Sequence, residues 1–396
     1  MKKILVLGRV YPYLPATGGD MSYSRGLITS IGREAEVTVV VASNGEQADG
    51  VHQCNGVTWV IAGQQKFGRV GSVFSLLPNI AWRGDTHAYR VAVNSALSRD
   101  WDAIVLDNVG VAHSLGRVVR YRTENPTTKI VYISHEHEAS VRKEKYAAYG
   151  GNPLLKLAMK LDGSKVTSAE LRLIKSVDLL TVINPEDEAR YRKQVTGLNF
   201  VTMTPGYSGG VVASRTIDDN VSRRVVVLGG RGPKQKQVIL QRWLEAASTI
   251  FHQNNIEMLV VGPIDDALGQ HLAERYPTTR FLGYVDDIEA LLATCRIGIV
   301  ADFIGGGFKV RLLTYVFNRV PMFSLRGAIS GLGVDSQSAY TESEDLEALA
   351  TSIQKNIDNF TLLNDLQHNA FNACNSRFAW ADRGREFIRT LDALQV

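Results

Sequence analysis

Residues 297–321 read IGIVADFIGGGFKVRLLTYVFNRVP. The opening run, Ile297 to Ala301, is apolar without alternation, which suits a strand buried on both faces of a parallel sheet. Gly305, Gly306 and Gly307 then form a turn. A helix-period stretch follows to Asn318, with Phe308, Leu312, Leu313, Val316 and Phe317 as its apolar face. Pro321 opens the next apolar run, PMFS (321–324). Strand, glycine turn, helix and strand make one step of a doubly wound α/β sheet.

The same step recurs along the chain. Before it come RVVVLGG (224–230), EMLVVG (257–262) and RFLGYV (280–285). Earlier still are KILVLG (3–8), EVTVVVA (36–42), VTWVIA (57–62), DAIVLD (102–107), KIVYIS (129–134) and LLTVI (179–183). Only TPGYSGGVVASRTIDDNVSRR (204–224), rich in Gly, Ser and charge, breaks the rhythm. A length of 396 residues exceeds what one core normally supports. These readings predict two Rossmann-like α/β domains, 1–204 and 224–375, joined by a linker or hinge at 205–223. A last helix, 376–396, carries Phe378, Phe387, Ile388, Leu391 and Leu394 as its apolar face.

Composition narrows the class. Hydrophobic residues at 45% with 21% charged fit a soluble enzyme, and a net charge of +4 is compatible with anionic substrates or a membrane surface. No Lys/Arg run or RNA-binding motif points to nucleic acid. Cys54, Cys295 and Cys374 lie far apart without CxxC, which fits a reducing, cytoplasmic setting with no disulfide framework. The start, MKKILVLGRVYP, regains charge at Arg9 and reads as a first buried strand, not a targeting segment. Nothing approaches the apolar length of a membrane-crossing helix. The stretch Leu154 to Lys175 mixes leucine with lysine; it suits either an anionic bilayer surface or an internal amphipathic helix pair.

Doubly wound sheets bind ligands beyond the carboxyl ends of their strands. Five such places stand out. After the first strand, Gly18 and Gly19 permit close backbone approach and precede a helix whose amides suit an anion; Asp20 is a candidate helix cap or base. After KIVYI, SHEHE (134–138) offers His135 and Glu138 to a polar ligand such as a sugar. It lacks the HExxH spacing and third ligand of a zinc site. GGRGPKQK (229–236) places Arg231, Lys234 and Lys236 just before a helix, where cations oppose the helix dipole unless a phosphate binds. In 305–314, Gly306, Gly307, Lys309 and Arg311 suit a diphosphate, with Thr314 three residues beyond Arg311 on the same face. Gly283 to Asp287 offers backbone at Tyr284 and Val285 to a nucleobase edge, with Asp287 as a helix cap. Gly206-Tyr-Ser-Gly-Gly210 matches the GxSxG elbow, but no helical pattern follows it. GxGxxG after a strand is absent, which disfavours a nicotinamide enzyme.

With these residues in place the chain resembles the GT-B glycosyltransferases, in particular family 4 (group 1). PATGGD (15–20), SHEHE, DLLTVINPEDEARY (178–191), GGRGPKQKQ and, most specifically, GGGFKVRLLTYVFNRVP (305–321) carry the resemblance. It implies the GT-B arrangement, with parallel sheets facing across a cleft. It also implies a nucleotide-diphosphate-sugar donor on the C-terminal domain and a glycan, glycolipid or small-molecule acceptor on the N-terminal one. Retention of configuration follows from the same resemblance. The final helix is similar to one that crosses back to the first domain. His135 and Glu138, carried over by position, and Asp20, the base if the reaction inverts instead, are the catalytic candidates. Gly18, Gly19, Arg231, Lys236, Gly306, Gly307 and Arg311 are donor diphosphate candidates, and Thr314, Tyr284 and Val285 face the nucleoside. Thr314 stands where the family has a ribose-binding glutamate, so donor use is expected to be altered or weakened. Neither metal nor cofactor is expected, and peripheral contact with the inner face of an anionic membrane is compatible with the leucine–lysine stretch. The alternatives are a nucleotide-sugar epimerase of the same architecture and a non-catalytic sugar-nucleotide binding protein.

Overall fold

The computed structural model describes residues 1–13, 18–230, 234–303 and 308–394, with Ala148 described in its backbone alone. The chain divides into two compact units. The first comprises the described residues of 1–206 with Phe308 and 379–394; the second comprises those of 207–303 with 309–378.

The first unit is built on strands β1 (Lys3–Val10), β2 (Glu36–Ser43), β3 (Gly50–Cys54), β4 (Val57–Gln64), β5 (Ala103–Asp107), β6 (Lys129–Ser134), β7 (Leu179–Val182) and β8 (Asn199–Thr202). Among the described residues they form one eight-stranded sheet, ordered β3-β4-β2-β1-β5-β6-β7-β8. All pairs are parallel except β3 with β4. In β1, Ile4 to Leu7 pair with Val37 to Val40 on one side and Ala103 to Leu106 on the other. Successive side chains then point to opposite faces. Ile4 and Val6 enter one core with Val39, Val105 and Ile133; Leu5 and Leu7 enter another with Ile104, Leu106 and Tyr132. All four β1 side chains are fully buried, which is why these strands read as unbroken apolar runs. Burying each stabilises the fold by about 1.5–3 kcal/mol.

Helices Gly19–Ile31 and Trp380–Ala393 cover the first face, the latter through Phe387 and Leu391. The last helix sits tightly. A Cβ at Gly384 would lie 2.2 Å from the Ser30 carbonyl oxygen, and one at Gly26 would lie 2.3 Å from the Trp380 ring. The Gly384 amide donates to Ser30 Oγ at 2.7 Å, and Arg383 donates to the Thr204 carbonyl and hydroxyl, each at 2.7 Å.

Leu154 to Ile174 lie in a single helix, Pro153–Ile174, with Lys175 as its C-cap, not in a helix pair. Asn152 caps it, accepting from the Leu154 amide at 2.8 Å. Val166, Ala169, Leu173 and Ile174 enter the second core, whereas Leu154, Leu157 and Leu161 stay exposed.

The second unit carries β9 (Arg224–Leu228), β10 (Glu257–Val261), β11 (Thr279–Gly283), β12 (Ile297–Val300), β13 (Met322–Leu325) and β14 (Tyr340–Ser343). They form a parallel sheet ordered β11-β10-β9-β12-β13-β14. Helix Arg311–Phe317 packs over β12. A Cβ at Gly298 would come within 2.6 Å of the Tyr315 ring, and the Tyr315 hydroxyl donates to the Val226 carbonyl at 3.0 Å. Tyr315 therefore joins the buried face of that helix beside Leu312, Leu313, Val316 and Phe317.

The stretch expected as a linker changes unit at residues 206–207, and the rest is packed on the second unit. Ile217 is buried, Arg215 donates to the Arg319 carbonyl at 3.1 Å, and the Val212 amide donates to the Phe317 carbonyl at 2.9 Å. Gly206-Tyr-Ser-Gly-Gly210 has no helix after it, so it lacks the geometry of a nucleophile elbow.

Candidate functional site

Each sheet has one place where the strand order reverses, and there the carboxyl ends of two strands open away from each other. In the first unit this lies between β1 and β5; in the second it lies between β9 and β12. Charged groups gather at both.

In the first unit Gly18 precedes helix Gly19–Ile31 in extended conformation, and no side chain caps that helix. Among the described residues its leading amides therefore meet no side-chain cap. Asp20 lies in the first turn and is not the cap. It pairs instead with Arg9, at the end of β1, at 2.7 Å. From the end of β5, Asp107 is almost wholly buried and accepts twice. Ser24 Oγ donates to its Oδ2 at 2.6 Å, and His135 Nε2 donates to its Oδ1 at 2.6 Å. This fixes the ring by one nitrogen. The other, Nδ1, is buried and, among the described residues, has no hydrogen-bond partner, as is the case for Arg9 Nε. Burial pushes the His135 pKa down, but the Asp107 charge and hydrogen bond, with help from Asp20, outweigh it and raise the pKa above the ordinary value. The shift is towards the charged form, and in that form Nδ1 carries an N–H that can donate.

The other SHEHE groups have different partners. His137 caps helix Glu138–Ala148, accepting from the Ser140 amide at 3.2 Å, and meets Gln194 at 2.8 Å. Glu138 is buried and pairs with Arg142 one turn along its own helix at 3.0 Å; burial raises its pKa despite that partner. The bonding thus places Glu138 with Arg142, not with His135. Beneath the segment, Glu170 accepts from the Tyr191 hydroxyl and is pushed up to about 8 by burial. Ser134 and Tyr191 share a hydrogen bond at 2.8 Å in the same buried network, which braces the turn carrying His135. Among the described residues no group of three His, Cys, Asp or Glu side chains forms a metal-holding cluster.

In the second unit Lys234 and Lys236 stand in the first turn of helix Lys234–Gln253, not in a loop before it. Arg231, Gly306 and Gly307 lie outside the described residues. Arg311 is the first residue of its helix, and its guanidinium pairs with Asp302 after β12, each side chain about one-sixth exposed at 17% and 15%. Burial lowers the Arg311 pKa, but Asp302 overrides it and the net shift is upward. Thr314, half-buried, follows one turn later. Tyr284 is 81% exposed and Val285 is half-buried, just past β11. Asp287 does cap the next helix, accepting from the Ala290 amide at 2.8 Å.

Two features escape a linear reading. Gly262, at φ +122, lets the end of β10 approach that of β9: a Cβ there would sit 2.6 Å from the Gly229 carbonyl carbon. A depression of about 610 Å³ opens beside it, lined by Gln237, Pro263, Ile264, Asp265 and Leu268. In the first unit, Asp107, Ser24 and Arg9 are the residues that position His135 and Asp20. Asp107 had one legible signal, a carboxylate as the last residue of a buried strand.

Residues 222–359 match the family profile described as Glycosyl transferases group 1. No curated protein sequence matches the chain. Solved structures match along its full length. Sucrose-phosphate synthase from Thermosynechococcus elongatus is 16% identical, with all of both chains covered and a TM-score of 0.70. Anabaena Alr3699/HepE, solved with UDP and glucose, is 15% identical over all of both chains at 0.63. WaaG, a glycosyltransferase involved in lipopolysaccharide biosynthesis, is 15% identical over 99% of each chain at 0.62. The chain thus has the GT-B fold of these enzymes, and its residues 222–359 match the group 1 glycosyltransferases.

Proposed function

We propose that this protein is a glycosyltransferase that moves a sugar from a nucleoside-diphosphate donor to an acceptor. The observation that carries the reading is Arg311, a cation at the switch point of the second sheet within the segment matched to group 1 glycosyltransferases. The second unit holds the donor. Arg311 and Lys236 neutralise the charge that develops on the departing diphosphate, a stabilisation made by fixed groups with no reorganisation. Arg231, Gly306 and Gly307 are assigned to the same anion on the resemblance. Thr314 takes a ribose hydroxyl, and Tyr284 and Val285 meet the base, whose other edge fits the depression at Pro263.

The first unit holds the acceptor, a glycan or glycolipid. His135, fixed by Asp107, donates from Nδ1 to a sugar hydroxyl, and Gly18 and Gly19 offer backbone amides. Asp20 is tied to Arg9, which favours a retaining reaction with no side-chain base over an inverting one that uses it. We assign no metal or cofactor to the reaction. HepE was solved with UDP and glucose, so UDP-glucose is the first donor to test. Calorimetry with UDP and UDP-glucose, alongside a panel of other nucleoside diphosphates, tests the donor assignment. One nucleotide should bind and raise the melting temperature. Binding of none of them would overturn it.

A further inference from the structure

Two segments of the first unit leave large apolar side chains in water. Residues 67–76 present Phe67, Phe74 and Leu76, exposed by 84%, 88% and 90%. Helix Pro153–Ile174 presents Leu154, Leu157 and Leu161, spaced three and four apart and hence along one stripe. The segments are held together. Lys165 Nζ donates to the carbonyls of Ser72 at 2.9 Å and Val73 at 3.1 Å, and Asp162 accepts from the Asn79 amide at 2.6 Å. The near end of the loop is anchored by Trp82, which meets Gly71 and lies 4.8 Å from Lys66 Nζ. The exposed apolar groups therefore belong to one supported surface.

Within these two stretches the charge has one sign. Residues 65–77 contain Lys66 and Arg69 and no carboxylate; residues 149–161 contain Lys156 and Lys160 and no carboxylate. The first acid of the helix, Asp162, is turned to the Asn79 amide. Cores of protein interfaces are depleted in lysine. An anionic bilayer instead recruits lysine beside side chains that enter the acyl boundary. We propose that this face of the first unit docks on an anionic lipid surface, with Phe67, Phe74, Leu76 and the leucine stripe inserted and the four cations at the headgroups. Among the described residues no helix is long and apolar enough to cross a membrane, so the contact is peripheral. Such a face would hold the unit at the bilayer whether or not the chain transfers sugar.

Flotation of the full chain with vesicles of phosphatidylcholine, with and without phosphatidylglycerol, tests this. The protein should float with the anionic vesicles, lose binding as salt rises, and stay behind with phosphatidylcholine alone. The variants F67S/F74S/L76S, L154S/L157S/L161S and K156E/K160E should each lower the bound fraction by about tenfold or more, with unchanged circular dichroism. Wild-type protein that fails to float, or binding that survives in all three variants, would overturn the proposal. So would a dimer in light scattering that these substitutions dissolve while no vesicle is bound.

Discussion

Removing the Arg311 side chain acts on two quantities at once, and the structure separates them. The guanidinium is paired with Asp302, both largely buried. Deleting one partner of such a pair costs about 3–5 kcal/mol. The lower end applies because each side chain keeps some contact with water. If Arg311 also holds a diphosphate, its loss removes a charged hydrogen bond of about 1.5–3 kcal/mol, or roughly 10- to 150-fold in affinity. Arg311→Ala should therefore lower stability by about 3 kcal/mol and weaken UDP binding by that factor. Asp302→Asn gives the control: an amide oxygen still accepts from Arg311 while the competing charge is gone, so UDP binding should persist or tighten. In the double variant R311A/D302N stability should partly recover, because the carboxylate that faced Arg311 is neutralised with it, but nucleotide affinity should not. Urea unfolding reads the first quantity and calorimetry on folded protein the second. Undiminished UDP affinity in R311A, with the stability loss present, would reduce Arg311 to a structural ion pair and remove the principal support for the donor site.

Two further outcomes follow from buried ionisable groups. Glu170 sits near 8 against an ordinary 4.5 because it is buried, so the folded state keeps a proton that the unfolded chain gives up. Its contribution to stability is full below the unfolded value and is lost as pH rises towards 8, at about 1.4 kcal/mol per pH unit. Glu170→Gln should flatten that slope in urea unfolding between roughly pH 5 and 8; equal slopes in the two proteins would contradict the assignment. Asp107→Asn should lower the His135 pKa, since an amide still accepts from Nε2 but supplies no charge. Nitrogen-15 NMR of the imidazole through a pH titration measures this directly, and an unmoved midpoint would show that Asp107 does not set the charge of the ring.

The buried strands were the most legible part of the chain because a strand covered on both faces has no polar positions to interrupt it. Edge strands lack that signature. β3 alternates and is largely exposed, and β8 and β14 are only four residues each. β3 carried another signal: Asn55-Gly56, both at positive φ, make the tight turn into β4. The glycine and lysine candidates were chosen from local order. Their partners could not be. Ser24 and Asp107 are 83 residues apart, and nothing near either one announces the other. Glu138 could be read as a carboxylate just after a strand, but its partner Arg142, one helical turn away, was not read with it. Arg311 was visible as a cation, but the Asp302 that holds it read only as the residue after a strand.

The return of the last helix to the first unit has a consequence for synthesis. A ribosome releases residues 1–206 long before residues 379–394 exist, so the groove formed by Leu27, Ile28 and Ile31 waits for Phe387 and Leu391 while the whole second unit is translated and collapses. Nascent chains stalled just short of Trp380 should carry a second unit able to fold and a first unit whose apolar face is open to chaperones. A premature stop there would injure the half of the molecule that was made first.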